Sequence, residues 1–132
     1  MEIINYAPGV IGIQKSAVSV ASTETTLLEI TDPRHLEKSQ ISAFLKFGSF
    51  VTATKVSVRF YFSFDGGTSY YQVPVLDSSG NVLNQPDIVS ASGLLQYVRD
   101  LAASGANALK ITGQTDAGTA VMTTGTVVVR DN

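Results

Sequence analysis

The chain contains no cysteine and a single histidine, His35. That removes disulfides, thiolate nucleophiles and cysteine-ligated metals, and it leaves neither a Cys/His pair nor a multi-histidine zinc site to build. Charge is sparse as well: 15% of residues are Asp, Glu, Lys or Arg, against about 25% in a typical soluble domain. There is no Lys/Arg run and the net charge is −2, so the sequence offers no basic patch with which to neutralise nucleic-acid phosphates. No stretch approaches the ~18 consecutive apolar residues of a membrane span. The opening Met1-Glu-Ile-Ile-Asn5 is not a basic segment leading into an apolar run. The expectations are no nucleic-acid partner, no membrane, no cofactor, no metal and no secretory signal.

What is present favours sheets. Hydrophobic residues make up 44% of the chain, enough for a core. The 132 residues are most simply one domain, burying about two-thirds of the unfolded surface. Ser and Thr supply about a fifth of the residues, so the polar surface is largely neutral hydroxyl. Such a surface is cheap to desolvate, and interface cores are depleted of charge. Thr, Val, Phe and Tyr suit half-buried pleated strands.

The stretch Lys55 to Val75 is the strongest structural signal. Val56, Val58, Phe60, Phe62 and Phe64 alternate with Lys55, Ser57, Arg59, Tyr61 and Ser63. Side chains along a strand point to opposite faces with a period of two, so one strand with one buried face is predicted, with all three Phe rings inward. Asp65-Gly66-Gly67-Thr68 breaks the pattern, and Ser69 to Val75 resumes it as a returning strand.

Around this hairpin, strands are predicted at Val10–Ala21, Glu24–Thr31, Gln40–Phe47, Ala108–Thr112 and Thr119–Arg130, the last kinked at Gly125. Asp32-Pro33-Arg34-His35 interrupts the series, Leu36-Glu37-Lys38 reads as one helical turn, and Asp77 to Asn81 and Gly113 to Gly118 read as turns. Gly93 to Ala103 is ambiguous. Leu94, Val98, Leu101 and Ala102 have helical spacing, whereas Leu95 to Arg99 reads as a strand, and no capping box precedes a helix there. The strand reading is preferred. Roughly eight strands separated by turn signals predict an all-β fold, an antiparallel β-sandwich or jelly roll. Residues 1–10 carry Ile3, Ile4 and Tyr6 before the Pro8-Gly9 turn and are too short to bury those side chains alone. They are expected to form an N-terminal arm, lying on the domain or reaching a neighbour, with 11–132 as the sandwich.

Candidate sites are few. A Ser/His/Asp triad would have to use His35, but no Gly-x-Ser-x-Gly elbow is present. Asp65, Asp77, Asp87 and Asp116 all fall in predicted turns, where a carboxylate caps backbone amides. Asp77-Ser-Ser79-Gly-Asn81 places oxygen side chains as calcium loops do, without the downstream Glu. Ser63-Phe-Asp65-Gly-Gly67-Thr-Ser-Tyr70 resembles the Asp-box, Ser-x-Asp-x-Gly-x-x-Trp, with Tyr70 in the aromatic position. That resemblance implies a tight hairpin in which Asp65 accepts from backbone amides, Gly66 and Gly67 allow positive φ, and the aromatic packs beneath. The motif is associated with sialidase propellers, which repeat it; a single copy here points to hairpin reinforcement. Tyr61, Tyr70 and Tyr71 flank the hairpin, with Tyr97 expected nearby, and rings with polar tips suit protein or sugar contacts.

From Val56-Ser-Val-Arg-Phe-Tyr-Phe-Ser-Phe-Asp-Gly-Gly through Leu109-Lys-Ile-Thr-Gly to Thr124-Gly-Thr-Val-Val-Val, the second half is similar in texture to small bacteriophage virion proteins. These are β-sandwich or jelly-roll subunits of heads, necks or tails, including capsid decoration proteins. The resemblance implies a non-enzymatic subunit, made in the host cytoplasm and carried in the virion, that assembles with itself or with other virion proteins. Ile3, Ile4 and Tyr6 are then expected to anchor it across a subunit boundary. A carbohydrate-binding module using Tyr61, Tyr70 and Tyr71 is the alternative.

Overall fold

The period-two alternation becomes twelve strands in the computed structural model, which describes residues 2–8, 10–31, 39–76, 81–83, 87–89, 95–102 and 106–131. In chain order the first six are β1 (Glu2–Ala7), β2 (Val10–Val20), β3 (Thr25–Ile30), β4 (Ser39–Val51), β5 (Lys55–Ser63) and β6 (Tyr71–Val73). The rest are β7 (Val75–Leu76), β8 (Val82–Leu83), β9 (Asp87–Val89), β10 (Leu95–Ala102), β11 (Ala108–Thr115) and β12 (Thr119–Asp131).

One sheet runs β1-β2-β12-β4-β10-β7-β8, the other β3-β11-β5-β6, with β9 also on β5. All of these strand pairings are antiparallel. The centre of the molecule is therefore two four-stranded sheets, β2-β12-β4-β10 and β3-β11-β5-β9. Successive principal strands alternate between the sheets except β5 and β9, which are neighbours in the second, and this order is that of a jelly roll. The protein is an all-β antiparallel sandwich of eight principal strands, to which β1, β6 and the β7–β8 hairpin are added at the margins.

The core lies between the sheets. Ile13, Ile41, Leu45, Phe47, Met122 and Val127 from the first sheet meet Leu28, Val56, Val58, Phe60, Leu109 and Ile111 from the second, all essentially without solvent contact. Burial of each such large side chain contributes about 1.5–3 kcal/mol. On β4, Ile41, Ala43, Leu45 and Phe47 are all buried, as their alternation requires. Over 95–102 the chain is a strand, paired with β4 from Leu95↔Phe47 to Ala102↔Gln40.

Four expectations are corrected. Phe60 and Phe62 point into the core, but Phe64 is 55% exposed, because β5 ends at Ser63 and the turn has already begun. The returning strand is shorter than Ser69–Val75. β6 pairs with β5 only from Phe60↔Val73 to Phe62↔Tyr71, and after Pro74 the chain crosses to the first sheet as β7. Proline has no N–H to give a ladder and so suits a strand break. Gly113 is not a turn residue. β11 continues to Thr115, and Gly113 is buried where a Cβ would sit 3.2 Å from Leu27 and Val56. Finally, β12 is irregular not at Gly125 but between Thr119 and Val121 and again at Thr123, between Met122 and Thr124, opposite Ala17, whose φ is 58°. Gly125 instead makes room for Met122, whose sulfur would lie 2.6 Å from an added Cβ. The expected helical turn at Leu36–Lys38, His35, the Asp77–Gly80 turn and Gln85-Pro86 lie outside the described residues.

Candidate functional site

The turn after β5 is built from side-chain oxygens. Ser63 Oγ accepts from the amides of Gly67 (2.9 Å) and Asp65 (3.3 Å) and donates to Asp65 Oδ1 (2.7 Å). The same Asp65 oxygen accepts from the Ser69 amide at 2.9 Å. Gly66 and Gly67 adopt φ of 78° and 99°, the left-handed region that glycine enters without steric cost. Asn107 closes the turn from the neighbouring loop, its Oδ1 accepting from Gly66 N (2.8 Å) and its N–H donating to Ser63 O (2.9 Å). The Ser63 hydroxyl, then the Ser69 amide, hold the Asp65 carboxyl below the usual aspartate range. The Tyr70 hydroxyl lies beneath Gly67, 3.2 Å from where a Cβ would stand.

Tyr61 and Tyr70 come together on the outer face of the second sheet, where Lys110 lies over both rings, 5.1 Å from the first centroid and 4.4 Å from the second. Cross-strand pairing lines up Glu29, Lys110, Tyr61 and Gln72 in one row, with Thr112 beside Arg59 in the next. Glu24, from the approach to β3, accepts from Tyr61 Oη and Thr112 Oγ1, each at 2.5 Å, and lies 3.5 Å from Arg59 Nη1. Burial alone would raise the Glu24 carboxyl, but the hydrogen bonds from Thr112 and Tyr61 and the Arg59 charge outweigh it and leave its pKa lowered. Burial, then the bond to Glu24, raises the Tyr61 phenol. Burial, then the nearby Glu29 carboxylate, raises that of Tyr70, whose buried hydroxyl meets hydrogen-bond geometry with no group among the described residues. Arg59 also donates to Gln114 Oε1 (3.1 Å), and Gln114 donates to Ser22 O (2.8 Å).

Apart from the Tyr70 hydroxyl, the polar groups described on this face are bonded to one another, and its two tyrosines are roofed by a lysine. That leaves Tyr71, 61% exposed, as the member of the sequence trio with a free ring. Tyr97 sits on β10 in the other sheet, away from this group. Glu24, Thr112 and Lys110 were not singled out by sequence, and the one available hint was the outward position of Lys110 in Ala108–Thr112.

Two more aspartates act as ties. Asp87 accepts from Ser57 Oγ at 2.7 Å and pairs with Lys55 at 3.5 Å, fastening β9 to β5. Asp116, in the β11–β12 turn, accepts from its neighbour Ala117 N (3.0 Å) and reaches across to the β4–β5 connection. There it takes the amides of Thr54 (2.9 Å) and Lys55 (3.4 Å) and the Thr54 hydroxyl. The Thr54 hydroxyl, then its amide, pull the Asp116 carboxyl down to about 2. Among the described residues no three metal-ligating side chains gather.

Ile3, Ile4 and Tyr6 lie on β1, the outermost strand of the first sheet, folded back on β2. Ile3 is paired with the core residue Ile13 and so faces inward, yet it is 56% exposed, because the second sheet ends at β3, opposite β2. Tyr6 falls at a bulge and lays its ring over Gly12, 2.5 Å from where a Cβ would be. Among the described residues, the other large apolar side chains standing in solvent are Val51, Phe64, Tyr71 and Val82, all at strand ends or on short marginal strands.

No family model matches the chain, and no curated protein matches it. Among solved structures it is similar to a chain in the structure of the infectious bursal disease virus Gx strain, with 13% identity and a TM-score of 0.38. It is also similar to a chain of the infectious bursal disease virus VP2 subviral particle, with 10% identity and a TM-score of 0.40. The overlaps cover 92% and 91% of this chain but only 30% of each viral chain. The jelly-roll assignment rests on the chain's own strand order.

Proposed function

We propose that this chain is a non-enzymatic structural subunit of a virion that works by assembling with itself or with other virion proteins. Within that class the reading is a bacteriophage capsid decoration, neck or tail subunit, located in the particle. One observation carries it: Glu24, Tyr61, Thr112 and Arg59 on the second sheet are spent on one another, while the large exposed apolar side chains of the described residues lie at sheet margins and strand ends. An unpaired strand margin carrying exposed apolar side chains is where a second chain can pair. The jelly-roll order and the low charge agree with it, since sparsely charged surfaces desolvate cheaply.

The test is removal of residues 1–9, read by light scattering behind size-exclusion chromatography and by circular dichroism. The expected result is a folded sandwich with weakened assembly. A full-length chain that stays monomeric at high concentration and binds no co-expressed virion protein would refute the reading. So would assembly indifferent to the deletion, as far as the N-terminal segment is concerned.

A further inference from the structure

The margins of the two sheets are protected unequally. In the first sheet one end is β8, only two residues long; in the second, β6 and β9 are three residues each and β9 carries Asp87. β3 is six residues long but is interrupted by a bulge and carries the exposed Glu29. Short strands, bulges and charges are the devices that stop strand margins from pairing with other chains. β1 is protected no better than β3: it is six residues long, carries one charge, Glu2, has a bulge at Tyr6, and contains neither lysine nor proline. Its outer margin pairs with no described strand, and Ile3 and Tyr6 stand more than half exposed on it.

We infer that β1 pairs antiparallel with β1 of a second copy across a twofold axis at Ile4, fusing the two seven-stranded sheets into one. The inference rests on the self-assembly proposed above and names the contact. The register follows from geometry. A twofold axis normal to the sheet keeps both cores on the same side, and directly opposed residues must share a face, so the two residue numbers of each pair must sum to an even number. A sum of four sets Glu2 against Glu2, a like-charge clash. A sum of six sets the Glu2 charge against the apolar Ile4, and a sum of ten leaves Glu2 beyond the end of its partner strand. A sum of eight pairs Ile4 with Ile4, Ile3 with Asn5, and Glu2 with Tyr6. The one charge on the strand then meets a phenol that can donate to it, and the two Ile3 side chains become diagonal neighbours beneath the joined sheet.

The absence of native cysteine makes the test clean. Opposed Cβ atoms in such a pair lie about 4.5–5.5 Å apart, near enough for a disulfide after slight adjustment. Ile4→Cys is expected to give a disulfide-linked dimer on mild oxidation, while Glu2→Cys alone stays unlinked and links only when mixed with Tyr6→Cys. In a second arm, Ile4→Lys sets two ammonium groups on the axis and should weaken the dimer at least tenfold, with circular dichroism unchanged. Three outcomes overturn the inference: a monomer, an oligomer that Ile4→Cys does not cross-link, or an oligomer indifferent to Ile4→Lys. Linking of Ile4→Cys to Gly12→Cys on another copy instead would show that β1 is exchanged onto the neighbour's β2. An oligomer without the Ile4 link leaves the assembly reading standing and removes only this pairing.

Discussion

On the outer face of the second sheet, Glu24 draws in Tyr61, Thr112 and Arg59, and Lys110 covers two aromatic rings. At the free margin of the first sheet, Ile3 and Tyr6 stand more than half exposed beside a single neighbouring strand. Both regions carry tyrosine, and composition alone would rank them as equal candidates for binding. Their surroundings separate them. A hydroxyl already bonded to a carboxylate and a ring already under an ammonium have little left for a partner, whereas an exposed isoleucine and a row of backbone groups that pairs with no described strand do. The first region should therefore act on the stability of the domain, and the second on what the domain touches.

The largest effect expected from this contrast is at Glu24. Glu24→Ala removes the acceptor shared by Tyr61 and Thr112 and the ion pair with Arg59. A buried set of charged hydrogen bonds would be worth more, but the Glu24 side chain is 40% exposed, so solvent screening reduces the loss to about 1 kcal/mol. Urea denaturation reads it directly. The Tyr61 phenol should also titrate closer to its ordinary value when followed by ultraviolet absorbance. Unchanged stability together with loss of a binding partner would reverse the assignment of the two regions.

Acid provides the next test, because the ties around the second sheet depend on ionised carboxylates. Asp116 titrates at about 2 in the folded chain, below its value of 3.8 when unperturbed. The unfolded state then binds the proton more readily, so the stability this group contributes is complete above about pH 4 and is lost as pH falls toward 2. Asp65 and Glu24 are shifted in the same direction and add to the same acid limb. Asp116→Asn should flatten that limb in a series of thermal melts, leaving the neutral-pH oligomer unchanged. A limb just as steep in the variant would mean that Asp116 is not what ties the β11–β12 turn to the β4–β5 connection.

Much of the fold was legible because burial writes itself into alternation. Val56, Val58, Phe60 and Phe62 occupy the face their spacing predicts, and the turn at Ser63–Tyr70 has the residues its backbone needs. Phe64 was misread for a local reason: alternation continued one step past the strand, while Ser63 Oγ had already turned to accept the Gly67 amide. The polar network was not legible, because its members are brought together by register. Glu24 lies 37 residues from Tyr61 and 88 from Thr112, and no local pattern encodes which strands become neighbours. Asp116 was recognisable as a capping residue, but the amides it reaches in the β4–β5 connection were not.

The smallest stability effect, and the sharpest separation, is expected at Ile3. Its side chain points to the inner side of β1 but extends past the end of the second sheet, so it buries little within one copy. Ile3→Ser should therefore alter folding stability by less than about 0.5 kcal/mol, as surface substitutions do. In the paired form its loss removes an apolar contact from each subunit, and self-association measured by analytical ultracentrifugation should weaken several-fold while the melting curve is unmoved. If the substitution instead lowers stability and leaves association intact, β1 serves its own domain, as the polar face of the second sheet does. The difference between the two regions would then lie in exposure alone and not in purpose.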